Sequence, residues 1–438
     1  MSDGNETIAP TTPTEAPMDA PHPPPSIPTH GAPVRQAERI QSLDVMRGVA
    51  LLGILVMNIS AFSMVAAAYE NPALMFDLSG ANQVFFVFAQ LFFNLKMMAI
   101  FSMLFGAGVV LMTTRNEAKG VWPVGLHYRR MFMLLLIGLA HAYLFWFGDI
   151  LVAYALCGMV VFWGRNWRPV TLFAVAAFLL FIPSAILFSL QFAPEEVLAE
   201  IRAQAHPPAE DVAAEVAAYR GSFIDALMFR APFTFAIQIF YFFIWGVWRI
   251  SGLMLLGMGL YKLGVFSAKR LTRFYLGMVV AGALIGLPLV AYGVWDKFAT
   301  DFEPIRAMAV SSQFNYWGSL LVAFGWIGAV MLIFRAGVLG WLRRALAAVG
   351  QMALTNYLAH TLICTTIFYG YGFGLFGKVE PAQQALIVVA IWVVQLIVSP
   401  WWMSRFRFGP FEWLWRVMTY GEWQSMRRLT PALAPSPA

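Results

Sequence analysis

From Leu43 to about Trp402 the chain runs through long apolar stretches separated by short polar breaks. Ten stretches stand out, at about 43–66, 84–113, 131–147, 150–164, 169–191, 232–265, 274–295, 313–334, 349–369 and 382–402. Many approach the roughly 20 residues a helix needs to cross hydrocarbon. Strand-type alternation is absent, so the pattern predicts an all-α, polytopic transmembrane bundle of about ten spans and not a barrel. The second and sixth stretches are long, which fits either a tilted helix or a broken one with an interfacial half. The third and fourth are short and meet at Phe147–Gly148–Asp149, which predicts a hairpin.

Composition points the same way. Hydrophobic residues make up 60% of the 438 and charged residues 12%, against roughly 25% charged in a soluble domain. Lipid can absorb that much apolar surface and a soluble core cannot. The sixteen Trp tend towards the ends of the apolar stretches, as interfacial anchors do. Cys157 and Cys364 both lie inside apolar stretches and read as packing residues. The spacing of Cys, His and acids matches no metal site, and no aromatic-basic module points to nucleic acid. The expected partner is the lipid bilayer, and no feature specifies an oligomeric state.

Charge distribution gives an orientation. With the N-terminus inside, 21 of the 29 Lys and Arg fall on the cytoplasmic side and 6 in outer loops, leaving Lys96 and Arg249 within spans. That asymmetry predicts both termini in the cytoplasm of a bacterial inner membrane. Residues 1–37, rich in Pro, Thr and Ala, read as a disordered cytoplasmic tail. The membrane domain is expected over 38–404, with an acidic outer loop at about 192–231 that is either a lid or a connector. Residues 405–438 read as an amphipathic cytoplasmic segment, with Glu412 and Arg416 placed to pair.

An ionisable side chain inside hydrocarbon is costly, so each one is a candidate for function. Arg47 and Asn58 are eleven residues apart, three helical turns and about 16 Å along one face. The third span repeats the spacing with Arg130 and His141. An interfacial Arg suits a phosphate-bearing ligand, and a deeper His suits proton transfer near neutral pH. An Arg at a cytoplasmic helix end is also what topology alone places there, and Asp44 stands three residues from Arg47 as an ion-pair partner. Asp149, across the hairpin, is placed to fix the tautomer of His141. Lys96, Arg249, Asn356 and His360 fall at middle or outer depth; with Asn58, His141 and Asp149 they suggest one polar cavity opening outward. Lys96 and Arg249 can equally snorkel to the outer interface. Gly106-Ala107-Gly108 and Gly252, Gly257 and Gly259 read as close helix packing.

These residues carry a resemblance. Leu43-Asp44-x-x-Arg47-Gly48, Lys96 with Ile100-Phe101-Ser102-Met103-Leu104-Phe105-Gly106-Ala107-Gly108, and Gly138-x-x-His141 with Gly148-Asp149-Ile150-Leu151 resemble the YeiB-like family of bacterial membrane proteins. So do Met352-Ala353-Leu354-Thr355-Asn356-Tyr357-Leu358 and the tail from Gly409 to Tyr420. The first span is also similar to the opening of the transmembrane acyltransferases, including heparan-α-glucosaminide N-acetyltransferase and the O-antigen-type enzymes. There an Arg is followed, after ten residues, by His or Asn; here Arg47 is followed by Asn58.

That resemblance implies transfer of an acyl group, such as acetyl, from cytoplasmic acyl-CoA to an envelope glycan or lipid. The lysosomal enzyme has a further His eleven residues beyond the Asn, where this chain has Tyr69. The general base is therefore expected to be His141, oriented by Asp149. Asn58 or Lys96 would stabilise the oxyanion and Arg47 and Arg130 would bind CoA phosphates. Arg249, Asn356 and His360 are assigned to the substrate region, although the family usually has Gln where His360 stands. The competing expectation is a transporter or flippase using the same cavity without acyl chemistry.

Overall fold

The computed structural model describes residues 40–120 and 122–428; the tail expected over 1–37 and the last part of the C-terminal segment, 429–438, lie outside the described residues. The chain is all helical. The first elements are α1 (Gln41–Ser63), α2 (Gly80–Phe92), α3 (Lys96–Glu117), α4 (Pro123–Leu144), α5 (Leu151–Val161) and α6 (Pro169–Ser189). There follow α7 (Glu195–Ala205), α8 (Ala209–Arg220), α9 (Phe223–Ala236), α10 (Val247–Lys262), α11 (Thr272–Ala281) and α12 (Leu287–Ala299). The last six are α13 (Pro304–Arg306), α14 (Ser312–Arg335), α15 (Gly340–Gln351), α16 (Ala353–Phe368), α17 (Pro381–Arg405) and α18 (Pro410–Tyr420). Among the described residues the β pairing amounts to one bridge, Phe406 with Arg427.

Among the described residues seven helical stretches are long and apolar enough to cross a membrane: α1, α2 with α3, α6, α9 with α10, α11 with α12, α13 with α14, and α17. The third, fourth and ninth stretches of the sequence form α4, α5 and the α15–α16 pair, which fall outside those seven. The two long stretches resolve differently. The second breaks at Phe93–Leu95, where Leu95 takes a left-handed backbone (φ 64°). Asn94 there donates its amide to Gln90 Oε1 at 2.6 Å, the local competition with helix that Asn side chains offer. The sixth stays continuous, but through ten residues of wide π-helical turn, Ile237–Gly246.

Two crossings set the packing. A Cβ on Gly48 would stand 2.1 Å from the Leu346 carbonyl oxygen, and one on Gly350 would stand 1.9 Å from that of Asp44. So α1 and α15 touch backbone to backbone. The same holds for α3 and α10, where a Cβ on Gly106 would meet Met254 O and one on Gly257 would meet Met103 O, each at 1.9 Å. Small residues permit such approach where lipid offers no hydrophobic drive. The expected close packing at Gly106 and Gly257 is what the structure has. The main core runs along α1 and α3 through Met46, Ala50, Leu55, Ala99, Ile100 and Met103, all buried.

The segment expected as an outer loop folds as α7, α8 and the start of α9, and α8 is strapped down. Ala66 N donates to Glu215 Oε1 at 3.0 Å, Gly370 N to Tyr219 O at 2.8 Å and Arg220 Nε to Phe376 O at 2.8 Å. Burial pushes the Glu215 carboxyl above the usual carboxylate range, against the pull of the Ala66 amide. At the other end, α18 is tied to two helices. Trp415 Nε1 donates to Arg130 O at 2.9 Å, and Glu412 caps the first turn of α16. Its oxygens accept from Leu354 N (2.6 Å), Thr355 N (3.1 Å) and Thr355 Oγ1 (2.6 Å). The sequence places Glu412 to pair with Arg416; the structure spends its carboxylate on the helix cap, because four orphan N–H groups at a helix start attract an acid.

Gly350→Ala forces α1 and α15 apart and is expected to cost about 1–3 kcal/mol, seen as a lower melting temperature of the purified protein in detergent. Gly108→Ala, whose Cβ meets nothing within 4 Å, is the control; it should be neutral or stabilise by up to about 1 kcal/mol.

Candidate functional site: a buried acid–imidazole–hydroxyl chain

His141 lies in the last turn of α4, and the chain turns back at once through Trp146 and Asp149 into α5. The hairpin is tight because Phe145 N and Trp146 N both return to His141 O, at 3.0 and 3.1 Å. Trp146 is 2% exposed and plugs the turn; its ring stacks on Phe62 at 4.1 Å and its Nε1 donates to Ala61 O at 3.5 Å. The end of α1 therefore abuts the hairpin, and Gly138 admits the start of α5 against α4.

Inside this turn His141 Nδ1 is 2.6 Å from Asp149 Oδ2, with the two side chains 4% and 0% exposed. Asp149 Oδ1 accepts Val152 N at 2.9 Å, so the same carboxylate starts α5. His141 Nε2 is 2.8 Å from Thr361 Oγ1 on α16. A carboxylate can only accept, so in the neutral imidazole Nδ1 carries the proton and Nε2 turns its lone pair to the Thr361 hydroxyl. The contact between His141 and Asp149 that the hairpin suggests is thus made. Sequence alone does not mark Thr361: it stands 220 residues from His141, and Thr is too common in apolar helices to single one out.

The other candidates do not join one cavity; the structure divides them. Lys96 is wholly buried and donates to Gln90 O (2.6 Å) and Asn315 Oδ1 (2.5 Å). Arg249, also wholly buried, donates to Ser319 Oγ (3.0 Å) and more distantly to Tyr316 O (3.5 Å), and lies 4.0 Å over the Tyr316 ring. Both cations are thus held on one side of α14, so neither snorkels. Asn356 and His360 form a third group. Asn356 Nδ2 donates to Ser399 Oγ at 3.1 Å, Gln395 Nε2 to Asn356 O at 3.2 Å, and His360 Nε2 pairs with Gln395 Oε1 at 2.9 Å. This ladder fastens α16 to α17, which is a packing role. Depth along the helix axis was legible in the sequence; which neighbour each face meets was not.

At the opposite end of α1, Arg47 pairs with Asp44 at 2.9 Å and keeps 28% of its side chain exposed. The Arg130 guanidinium sits 4.6 Å over Trp415 of α18. Leu51 and Leu52, just beyond Arg47, share an apolar cluster with Met131 and Leu134, just beyond Arg130. Asn58 is half-buried, three residues before Ala61 and four before Phe62, and forms no hydrogen bond among the described residues. One further buried cation falls, by sequence, within the segment expected as a loop at about 192–231. Arg230 is fully buried on α9 and donates to Tyr143 O and Leu144 O. It braces the carboxyl end of α4, where the helix dipole favours a cation.

These features define a class: an all-α membrane protein with an acid–imidazole–hydroxyl chain sealed among its helices. The family described as protein of unknown function (DUF418) matches residues 260–422. The uncharacterized protein YxaH of Bacillus subtilis (strain 168) is 33% identical over 418 residues, covering 91% of this chain and 98% of its own length. The uncharacterized protein YeiB of Escherichia coli (strain K12) is 32% identical over 406 residues, covering 87% and 96%. The chain belongs to the YeiB-like family.

Asp149→Ala leaves two buried donors, His141 Nδ1–H and Val152 N–H, without their acceptor. Each orphaned group costs about 1–3 kcal/mol, so thermal unfolding should move well below wild type. Asp149→Asn, which keeps one acceptor, should lie between the two.

Proposed function

We propose that the protein is an acyltransferase of the bacterial inner membrane. It moves an acyl group, such as acetyl, from cytoplasmic acyl-CoA to a hydroxyl or amine of an envelope glycan or lipid. The observation that carries this reading is the Asp149–His141–Thr361 chain. An imidazole whose tautomer is fixed by a buried carboxylate, and whose free lone pair faces a hydroxyl, is equipped as a general base. The Thr361 hydroxyl occupies the place that an acceptor hydroxyl would take.

In that mechanism His141 Nε2 removes the acceptor's proton as its oxygen or nitrogen attacks the thioester carbon. The carbon–sulfur bond breaks, and the imidazolium returns the proton to the CoA thiolate. Asp149 stabilises the imidazolium without taking its proton, as a triad acid does. Asn58, whose amide forms no hydrogen bond among the described residues, keeps its donor free for the oxyanion; Lys96 already spends two protons on Gln90 and Asn315. Arg47 and Arg130 bind the CoA phosphates at the cytoplasmic side, on which both termini lie. Arg47 is partly exposed for this and would exchange part of its bond to Asp44 for a phosphate.

One observation favours the carrier. The interruption between α2 and α3 and the one at Met352 between α15 and α16 are breaks inside apolar stretches, a feature of transporters with sites near mid-membrane. A carrier would show no dependence on CoA.

Acetyl-CoA at 100-fold over its dissociation constant should stabilise the purified protein by about 2.7 kcal/mol, with no such shift from ATP. Arg47→Ala and Arg130→Ala should shrink that shift. His141→Ala should keep it and lose transfer, measured as release of free CoA thiol with an acceptor present. No shift at millimolar acetyl-CoA, in protein shown to be folded, would transfer the reading to the carrier.

A further inference from the structure

The Asp149–His141–Thr361 chain is buried, so a ligand reaches it only if something moves. Over the carboxyl ends of α1 and α16 lies a buried aromatic cluster, and α8 caps it. Tyr219 of α8 stacks on Phe376 at 4.6 Å and lies 4.8 Å from Tyr369, the C-cap of α16. Gly377 N donates to Ser63 O at 2.7 Å, which holds the turn after α16 against the end of α1. Cys364, Phe368, Phe62 and Trp146 belong to the same cluster as Tyr219, Tyr369 and Phe376. The Trp146 ring is 6.4 Å from that of His141, and Cys364 stands about one helical turn beyond Thr361 on α16. The cover over this end is thus continuous with the His141 centre.

For a cover, α8 is lightly held. α7 and α8 bury one residue each, Leu198 and Tyr219. α7 meets Glu303 through Arg202 at 3.3 Å, an exposed ion pair of a kind that stabilises little. α8 rests on its bonds to Ala66, Gly370 and Phe376, and segments with few buried apolar contacts open most easily. Its neighbour α9 is fixed. Arg230 bonds to Tyr143 O and Leu144 O, and Phe233 meets Phe147 of the hairpin at 5.1 Å. α9 also starts on its own capping box: Ser222 Oγ accepts from Asp225 N at 3.2 Å, and Asp225 Oδ2 from Ser222 N at 2.8 Å. Gly221 between them is therefore a joint, because its backbone can rotate and carry α8 without unwinding α9. The closed cover also leaves a polar atom unsatisfied. Tyr369 Oη is buried with no hydrogen-bond partner among the described residues, and water admitted by lifting Tyr219 would supply one.

We propose that α8 is a lid hinged at Gly221, which lifts Tyr219 off Tyr369 and Phe376 and opens the way for a polar ligand to Thr361 and His141. The three latching bonds pass to water as the lid rises, so no donor is stranded. For the acyltransferase the entering ligand is the acceptor, and for a carrier it is the cargo. The opening itself requires no acyl chemistry.

The chain carries its own reporters. It has two cysteines, both buried: Cys364 under the lid, and Cys157 in a separate cluster with Val109, Ile250 and Met254. The test treats the full chain, in an uncharged detergent, with a small, negatively charged methanethiosulfonate and follows each thiol by peptide mass. Cys364 should react while Cys157 stays protected. Glu215→Ala and Tyr219→Ala, which weaken the latch, should each speed Cys364 by about 3–10-fold. Ala213→Gln, on the exposed face of α8, should leave the rate unchanged. With both native cysteines replaced by Ala, Thr361→Cys should react as well, and faster when Glu215→Ala is added. Equal rates at Cys364 and Cys157 mean global unfolding and overturn the lid. So does a Cys364 rate that ignores both latch variants. Reaction at Cys364 with none at Thr361→Cys overturns the entrance. A latch variant whose Cys157 reacts has lost its fold, and Arg220→Ala, which removes the bond to Phe376 O, then takes its place. The acyl-transfer reading is judged separately by acetyl-CoA, so failure of one leaves the other intact.

Discussion

At the centre of this protein two pairs of helices cross with nothing between their backbones. Hydrocarbon gives helices no hydrophobic reason to associate, so contact must come from packing and from polar groups that find each other. Gly48 and Gly350 let α1 meet α15, and Gly106 and Gly257 let α3 meet α10. The second crossing brings the amino-terminal ends of α3 and α10 together over α14, which is why Lys96 and Arg249 share one side of that helix. The first fixes α15, and through the turn at Met352 it fixes the start of α16, the helix that carries Thr361. Both polar centres therefore depend on residues that have no side chain.

The motif around Arg47 takes on a double meaning in that light. Asp44 and Gly48 in Leu43-Asp44-x-x-Arg47-Gly48 are where α1 meets Gly350 and Leu346, and Asp44 also holds Arg47. A sequence pattern that suggests a phosphate site is at once a helix-crossing pattern. The physical demands of the two roles are compatible, because the Arg side chain leaves the crossing towards the helix end while the glycine stays within it.

Much of the architecture was legible because apolar length and helix formation are both local properties. The tight hairpin at Phe147–Asp149 follows from residues close in sequence; the second stretch was open between a tilted and a broken helix, and the small residues at Gly106 and Gly257 marked close packing without naming the partner helix. The His141–Asp149 contact was legible for the same reason, being closed by a turn of eight residues. Thr361 was not, nor was the joint dependence of Lys96 and Arg249 on α14, nor the bonding of Asn356 and His360 to α17. Each requires knowing which helix stands opposite, and hydropathy carries little azimuthal information in helices that are apolar on every side. Grouping all the deep polar residues into one cavity was an error of that kind: equal depth does not mean adjacency.

The cap that Glu412 places on α16 bears on the order in which the protein is made. The first turn of α16 is synthesised some 58 residues before the carboxylate that satisfies it. Until the ribosome has delivered α18, the amide groups of Leu354 and Thr355 lack their acceptor, and the helix bearing Thr361 is finished only in part. Maturation of the His141 centre is thus tied to completion of translation. A nascent chain released early would insert its spans and still lack the last piece that seats its own interior.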